Sequence, residues 1–193
     1  MFRIEFGGRF GEHDTISHSM SELDEAWALA LAEAEQRARL SGRGDIADYL
    51  SLRNSNDLLR KAGVDWLLTS FTVLAGDANR AGAAIQIANE DGHRFSIGSS
   101  TMVGRLVTLS TGGVRTLFVE AGWPRVPRDG VVRGGGLASA HIRHLGIRSA
   151  GEELLLSKST AGVPKWLSLS RKQHAFHESD IRRHLAVLLD HDR

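Results

Sequence analysis

Histidine is the residue whose spacing first suggests chemistry in this chain. Of the nine histidines, six lie beyond residue 100, and four of those form two H-x-x-H pairs, His141/His144 and His174/His177. On a helix, positions i and i+3 share a face, so each pair would present two imidazoles to one divalent metal ion. On a strand the same spacing sends the two rings to opposite faces. Glu178, Asp180 and His184 follow closely enough to complete a ligand set. Three such ligands leave a position for water, which a bound metal activates for hydrolysis, for example of a phosphodiester. The established H-E-x-x-H zinc pattern is absent. The plain alternative is that these are hydrogen-bonded or solvent-facing histidines.

A second candidate is glycine-rich. Arg133-Gly134-Gly135-Gly136 precedes a segment read as a short helix near 137–145. Free backbone N–H groups at a helix start converge on phosphate, helped by the helix dipole. The terminal Lys-Ser/Thr of a P-loop and the G-x-G-x-x-G spacing of dinucleotide sites are both missing. Around this loop the chain is basic. Arg133, Arg143, Lys158, Lys165, Arg171 and Lys172 are the residues expected to contact an anion, with Trp123 and Trp166 placed to stack on bases. Gly-x-Ser-x-Gly does not occur, and Asp45/Asp48 and Glu152/Glu153 read as solvated ends of elements rather than a catalytic carboxylate pair.

Charge is divided unevenly. Residues 1–100 sum to −5 and residues 101–193 to +6, giving +1 overall. That division points to a protein that binds nucleic acid or a phosphate-bearing ligand through its second half. A metal-dependent hydrolase built on the paired histidines is the alternative enzyme reading. A non-catalytic subunit or regulator is the third, with the acidic half docking a basic protein partner or another copy of the chain. The absence of cysteine excludes disulfide frameworks, thiol nucleophiles, iron–sulfur clusters and cysteine zinc sites.

The elements that must position these residues follow from periodicity. Phe2, Ile4 and Phe6 alternate as a strand. Ser19 and Glu22 have capping-box spacing before Leu23, Trp27, Ala30, Leu31, Ala34 and Ala38, which recur at helical intervals. Asp45 starts a second helix, which Asn54-Ser55-Asn56 is expected to break and Gly63 to end. From there the pattern reads as strands near 66–75, 83–88, 93–98, 101–109 and 114–120, with hairpin turns at 89–92 and 110–113. Two further strands fall at Leu154–Leu156 and Trp166–Leu169, and an amphipathic helix capped by Ser179 closes the chain. Trp27, Trp66, Phe71, Phe95 and Phe118 are the expected aromatic core.

The expected class is α+β in a single domain over 1–193: a helical region at about 19–63, a mostly antiparallel strand-rich region at about 64–171 and a C-terminal helix at about 179–190. At this length the core needs no metal staple, so a divalent metal, if bound, would serve function. No run approaches the ~18 apolar residues of a membrane span, and the first residues lack a secretory apolar region. A cytoplasmic protein without a membrane partner is therefore expected.

Overall fold

The structure, a computed structural model, describes residues 13–112, 115–170 and 173–190, with backbone alone for 13–24. The expected strand at 2–6 lies outside the described residues. The chain divides into two compact units, 1–55 and 56–193.

The first unit contains helix α1 (His13–Leu40) and the start of helix α2 (Gly44–Arg80). α1 begins six residues before Ser19. Neither glycine nor proline occurs between His13 and Leu40, so the capping-box spacing at Ser19 is simply carried through as helix. Gly42, at φ +73°, turns the chain into α2. Leu31, Ala38 and Ala47 are the buried apolar residues here, and Arg53 lies over the Trp27 ring, 5.3 Å from its centroid.

The second unit is an α+β assembly built on a seven-stranded antiparallel sheet in strict chain order. Its strands are β1 (Gln86–Ile97), β2 (Ser100–Thr111), β3 (Arg115–Trp123), β4 (Ala138–His144), β5 (Ile147–Lys158), β6 (Pro164–Ser168) and β7 (His174–Ala175), and helix α3 (Glu178–Leu189) ends it. One face of the sheet packs on α2 and α3. Leu67, Leu68 and Phe71 of α2 meet Leu117, Ile142 and Leu156 of the sheet and Ile181 and Leu188 of α3 in one buried cluster.

Several elements differ from the periodicity reading. α2 runs unbroken through Asn54–Asn56 and Gly63, and replaces the strand expected at 66–75. Its buried residues Val64, Leu67, Leu68, Phe71, Leu74 and Ala75 recur every three to four positions, so the helical period prevails over three polar residues and a glycine. Gly63 is there for close approach: a Cβ would stand 2.6 Å from Leu156 Cδ1. The Gly63 carbonyl also accepts the Trp166 indole N–H at 2.9 Å. At 89–92 no hairpin forms, because β1 continues through a bulge between Asp91 and His93 in which Gly92 takes φ +71°. The segment 137–145 is strand β4 rather than a helix, since Ala138, Ala140, Ile142 and His144 alternate inward between two other core strands. Phe71 and Phe95 are buried as expected, but Trp27 and Trp66 are exposed and Phe118 is half-buried. Among the described residues no helix is long and apolar enough to cross a membrane.

Candidate functional site

A meander in chain order alternates its connections between two ends of the sheet. The β1–β2 turn, the long β3–β4 connection (124–137) and the β5–β6 turn (159–163) therefore share one end. Contacts join these segments. Leu137 N–H donates to the Leu156 carbonyl at 2.7 Å, Ser100 Oγ donates to the Val131 carbonyl at 2.9 Å, and a Cβ on Gly98 would lie 3.5 Å from the Arg133 guanidinium. Arg125, Arg128 and Arg133 stand in the middle connection, and Lys158 and Lys165 flank the turn beside it. With strands about 5 Å apart, the strands that carry these cations, β3 to β6, span roughly 15 Å. Arg133, Lys158 and Lys165 are exposed, and none forms an ion pair with a described residue.

The one carboxylate in these connections is Asp129, which is buried. Burial favours its neutral form, but the backbone N–H groups of Arg125 and Val126 and the charges of Arg94 and Arg128 outweigh that and hold it below the usual carboxylate range. It is spent on fixing its own loop, and the end of the sheet is left cationic.

The remaining sequence candidates separate. Arg171 and Lys172 lie outside the described residues. Arg143 points away from the cationic end: its Nε and Nη2 donate to Glu120 at 3.1 and 3.3 Å. The triple glycine precedes a strand, so no helix dipole stands behind it. Gly134 and Gly135 are used for positive φ, and Gly136 for contact, since a Cβ there would meet Leu155 Cδ1 at 2.2 Å. Neither tryptophan offers a free face to bases. Trp166 is buried, and Arg125 covers Trp123 at 4.0 Å from the ring centroid.

The four paired histidines are dispersed too. On β4 the strand period splits the first pair: His141 faces Glu120 on the outer face, 3.6 Å from its carboxylate, and His144 points into the core. His174 lies 3.4 Å from Asp180, and His177 precedes α3, where its backbone N–H donates to Asp180 at 2.9 Å. Among the described residues no group of three or more His, Asp or Glu is arranged to hold a metal ion.

Two networks that sequence reading missed account for the histidines better. On the outer face Glu120 is buried under His93 (2.9 Å), His141 and Arg143. Burial would raise its pKa, but hydrogen bonds from His141, His93 and Arg143 and the charge of Arg143 bring it down to about 2. On the inner face Glu152 accepts from His184 Nε2 at 3.0 Å, from Arg183 at 2.9 Å and from the Ser168 hydroxyl. Those bonds and charges likewise outweigh burial and hold it at about 2. His184 Nδ1 in turn lies 3.0 Å from His144 Nε2. Burial, with the positive charge of His184 beside it, lowers His144 to about 4.

This inner chain borders a cleft of about 530 Å³ lined by Glu152, Glu153, Ser170, His174, Arg183 and neighbours. Its chemistry is nonetheless inward. Both oxygens of Glu152 and both nitrogens of His184 already have hydrogen-bond partners within the protein. The arrangement clamps α3 to β4, β5 and β6. Among the described residues no buried side-chain nitrogen or oxygen lacks a hydrogen-bond partner. A signal for both networks was present in the sequence. Glu120 interrupts the apolar run Leu117–Ala121, and Glu152 shares the parity of Leu154 and Leu156, which puts it on the core face. Comparison with protein-family models, with curated proteins and with solved structures finds no match for the chain.

Proposed function

We propose that this chain is a cytoplasmic protein that binds phosphate-bearing polyanions, nucleic acid foremost, through the cationic end of its sheet. One observation supports the reading: Arg133, Lys158 and Lys165, drawn from two separate segments, stand exposed at one end of the sheet without an ion pair to any described residue. Arg125 and Arg128 extend the same surface. Exposed arginine and lysine address phosphate oxygens rather than base edges, so binding is largely independent of sequence and steep in salt. A metal-dependent hydrolase has less support, because His93, His141, His144 and His184 are engaged with carboxylates or with one another and no group of three or more candidate ligands forms among the described residues.

Titration of a fluorescent mixed-sequence single-stranded oligonucleotide at several salt concentrations tests the reading. Each phosphate contact contributes about −0.7 to the slope of log K against log salt. The Arg133→Glu/Lys158→Glu/Lys165→Glu variant should therefore lose about 2 units of slope and most of the affinity. Arg143→Gln should change neither. Wild-type protein that binds no oligonucleotide at low salt, or binds with no salt dependence, overturns the proposal.

A further inference from the structure

Three valines stand out to solvent at the same end of the sheet as the cations. Val126 and Val131 lie in the β3–β4 connection and Val163 in the β5–β6 turn, exposed at 42%, 74% and 59%. Their exposure is built into the backbone, because the N–H and the carbonyl of each are both tied to one residue of the fold. Val126 donates to Asp129 Oδ2 at 3.3 Å and accepts the Asp129 N–H at 2.9 Å. Val131 donates to Ser100 Oγ at 3.3 Å, and its carbonyl accepts from the same hydroxyl at 2.9 Å. Val163 donates to Ser159 Oγ at 3.1 Å and accepts the Ser159 N–H at 2.9 Å. Asp129 and Ser100 are themselves buried. Val132 packs on Phe95, Ile97 and Met102, so this loop seats one valine against the fold and holds its neighbour out.

Rigid apolar tips set among cations suit a ligand with both an anionic backbone and open apolar faces. Arg125, Arg128, Arg133, Lys158 and Lys165 are exposed in or beside the same connections. Single-stranded nucleic acid has both features, since its unstacked bases lie open beside its phosphates. A duplex stacks those faces away and presents only backbone and groove edges. An anionic membrane also combines charge with apolar matter, but surfaces that enter the bilayer interface do so with Trp, Phe or Leu, and all three tips are valine. A β-branched side chain has little rotamer freedom to lose on contact, which suits it to lie against a base of any identity.

We propose that the cationic end selects single-stranded over double-stranded nucleic acid, with Val126, Val131 and Val163 lying against unstacked bases while the flanking arginines and lysines hold the phosphates. Such selection rests on the phosphate-binding reading above and adds what the cations alone do not give. A surface that met phosphates only would favour the duplex, whose charge density is higher. A preference for single strands therefore reports on the valines. Contact with the face of a base needs no hydrogen-bond pattern, so the selection is for strandedness and not for sequence.

Oligonucleotides of equal length separate the contributions: a mixed-sequence single strand, the same sequence as a duplex, and a single strand of abasic sites, which keeps the phosphates and lacks the bases. At one salt concentration the full chain should bind the ordinary strand more tightly than the duplex and about tenfold more tightly than the abasic strand. The Val126→Ser/Val131→Ser/Val163→Ser variant keeps the backbone hydrogen bonds and should have an unchanged far-ultraviolet circular dichroism spectrum. It should bind the ordinary and abasic strands equally. Arg133→Glu/Lys158→Glu/Lys165→Glu should weaken binding to both alike. A duplex bound as tightly as the single strand, or a valine variant that still tells bases from abasic sites, overturns the inference and leaves the phosphate-binding reading standing. Absence of binding to all three overturns both. Valine-dependent flotation with phosphatidylserine vesicles, in place of base-dependent strand binding, assigns the tips to a lipid surface and likewise overturns the inference.

Discussion

Glu120 and Glu152 sit on opposite faces of one sheet, and each is held ionised at about 2 by histidine and arginine. Their surroundings differ. The donors over Glu120 come from the sheet itself and are partly open to water, with Arg143 about half exposed. Glu152 ties the sheet to a separate helix through His184, which is itself buried and leans on His144. The same residue types thus do different jobs. On the outer face they neutralise a carboxylate locally, and on the inner face they hold tertiary structure together.

Truncation should separate the two most widely. Glu152→Ala leaves His184 and the Ser168 hydroxyl buried without their acceptor and should cost about 3–5 kcal/mol in urea unfolding, with α3 released first. Glu120→Ala lets its partners rehydrate and should cost about 1–3 kcal/mol. An equal or greater loss at Glu120 would break the comparison.

Acid should distinguish the faces next. The folded value of His144, about 4, lies below its ordinary 6.5, so the unfolded chain takes up the proton first. Stability is lost as pH falls from 6.5 towards 4, by roughly 2–4 kcal/mol. Both glutamates act lower: their stabilisation is complete above about 4.5 and disappears as pH falls through about 2. His144→Gln should remove the upper part of the pH–stability curve and leave the glutamate part intact; an unchanged slope between pH 6.5 and 4 would count against the inner network. The smallest effects belong to the exposed arginines. Arg143→Gln and Arg183→Gln should each change stability by about 1 kcal/mol or less, since half-exposed ion pairs gain little over water.

Much of the sheet was legible because hairpins announce themselves locally. The antiparallel pairing of β2 with β3 and the strands at Leu154–Leu156 and Trp166 needed only alternation and a turn signal, and α3 only its apolar spacing; the turn expected at 110–113 lies partly outside the described residues. The second half of α2 was not legible, because Trp66, Thr69 and Val73 on its exposed face mask the helical recurrence of Leu67, Phe71 and Leu74. Mistaking β4 for a helix then carried both the metal-site expectation and the phosphate-cradle expectation with it, since each needed a helix at 137–145. Arg133, Lys158 and Lys165 stand at one end of the sheet, and what puts them there is the alternation of connections in the meander, a property of topology rather than of local pattern. The clusters around Glu120 and Glu152 depend on cross-strand register and helix docking, which no single segment encodes.

The close seat of α2 against Leu156 and Trp166 bears on how the molecule is made. Every strand pairs with its neighbour in sequence, so hairpins can add one after another as the chain leaves the ribosome. The contact that seals Gly63 to Trp166, however, spans 103 residues. Leu67, Phe71 and their neighbours are synthesised before β5, β6 and α3 and wait for them to arrive. Throughout that interval the nascent chain displays a sticky helix, and the interval between α2 and β6 is the one over which a chaperone would matter most.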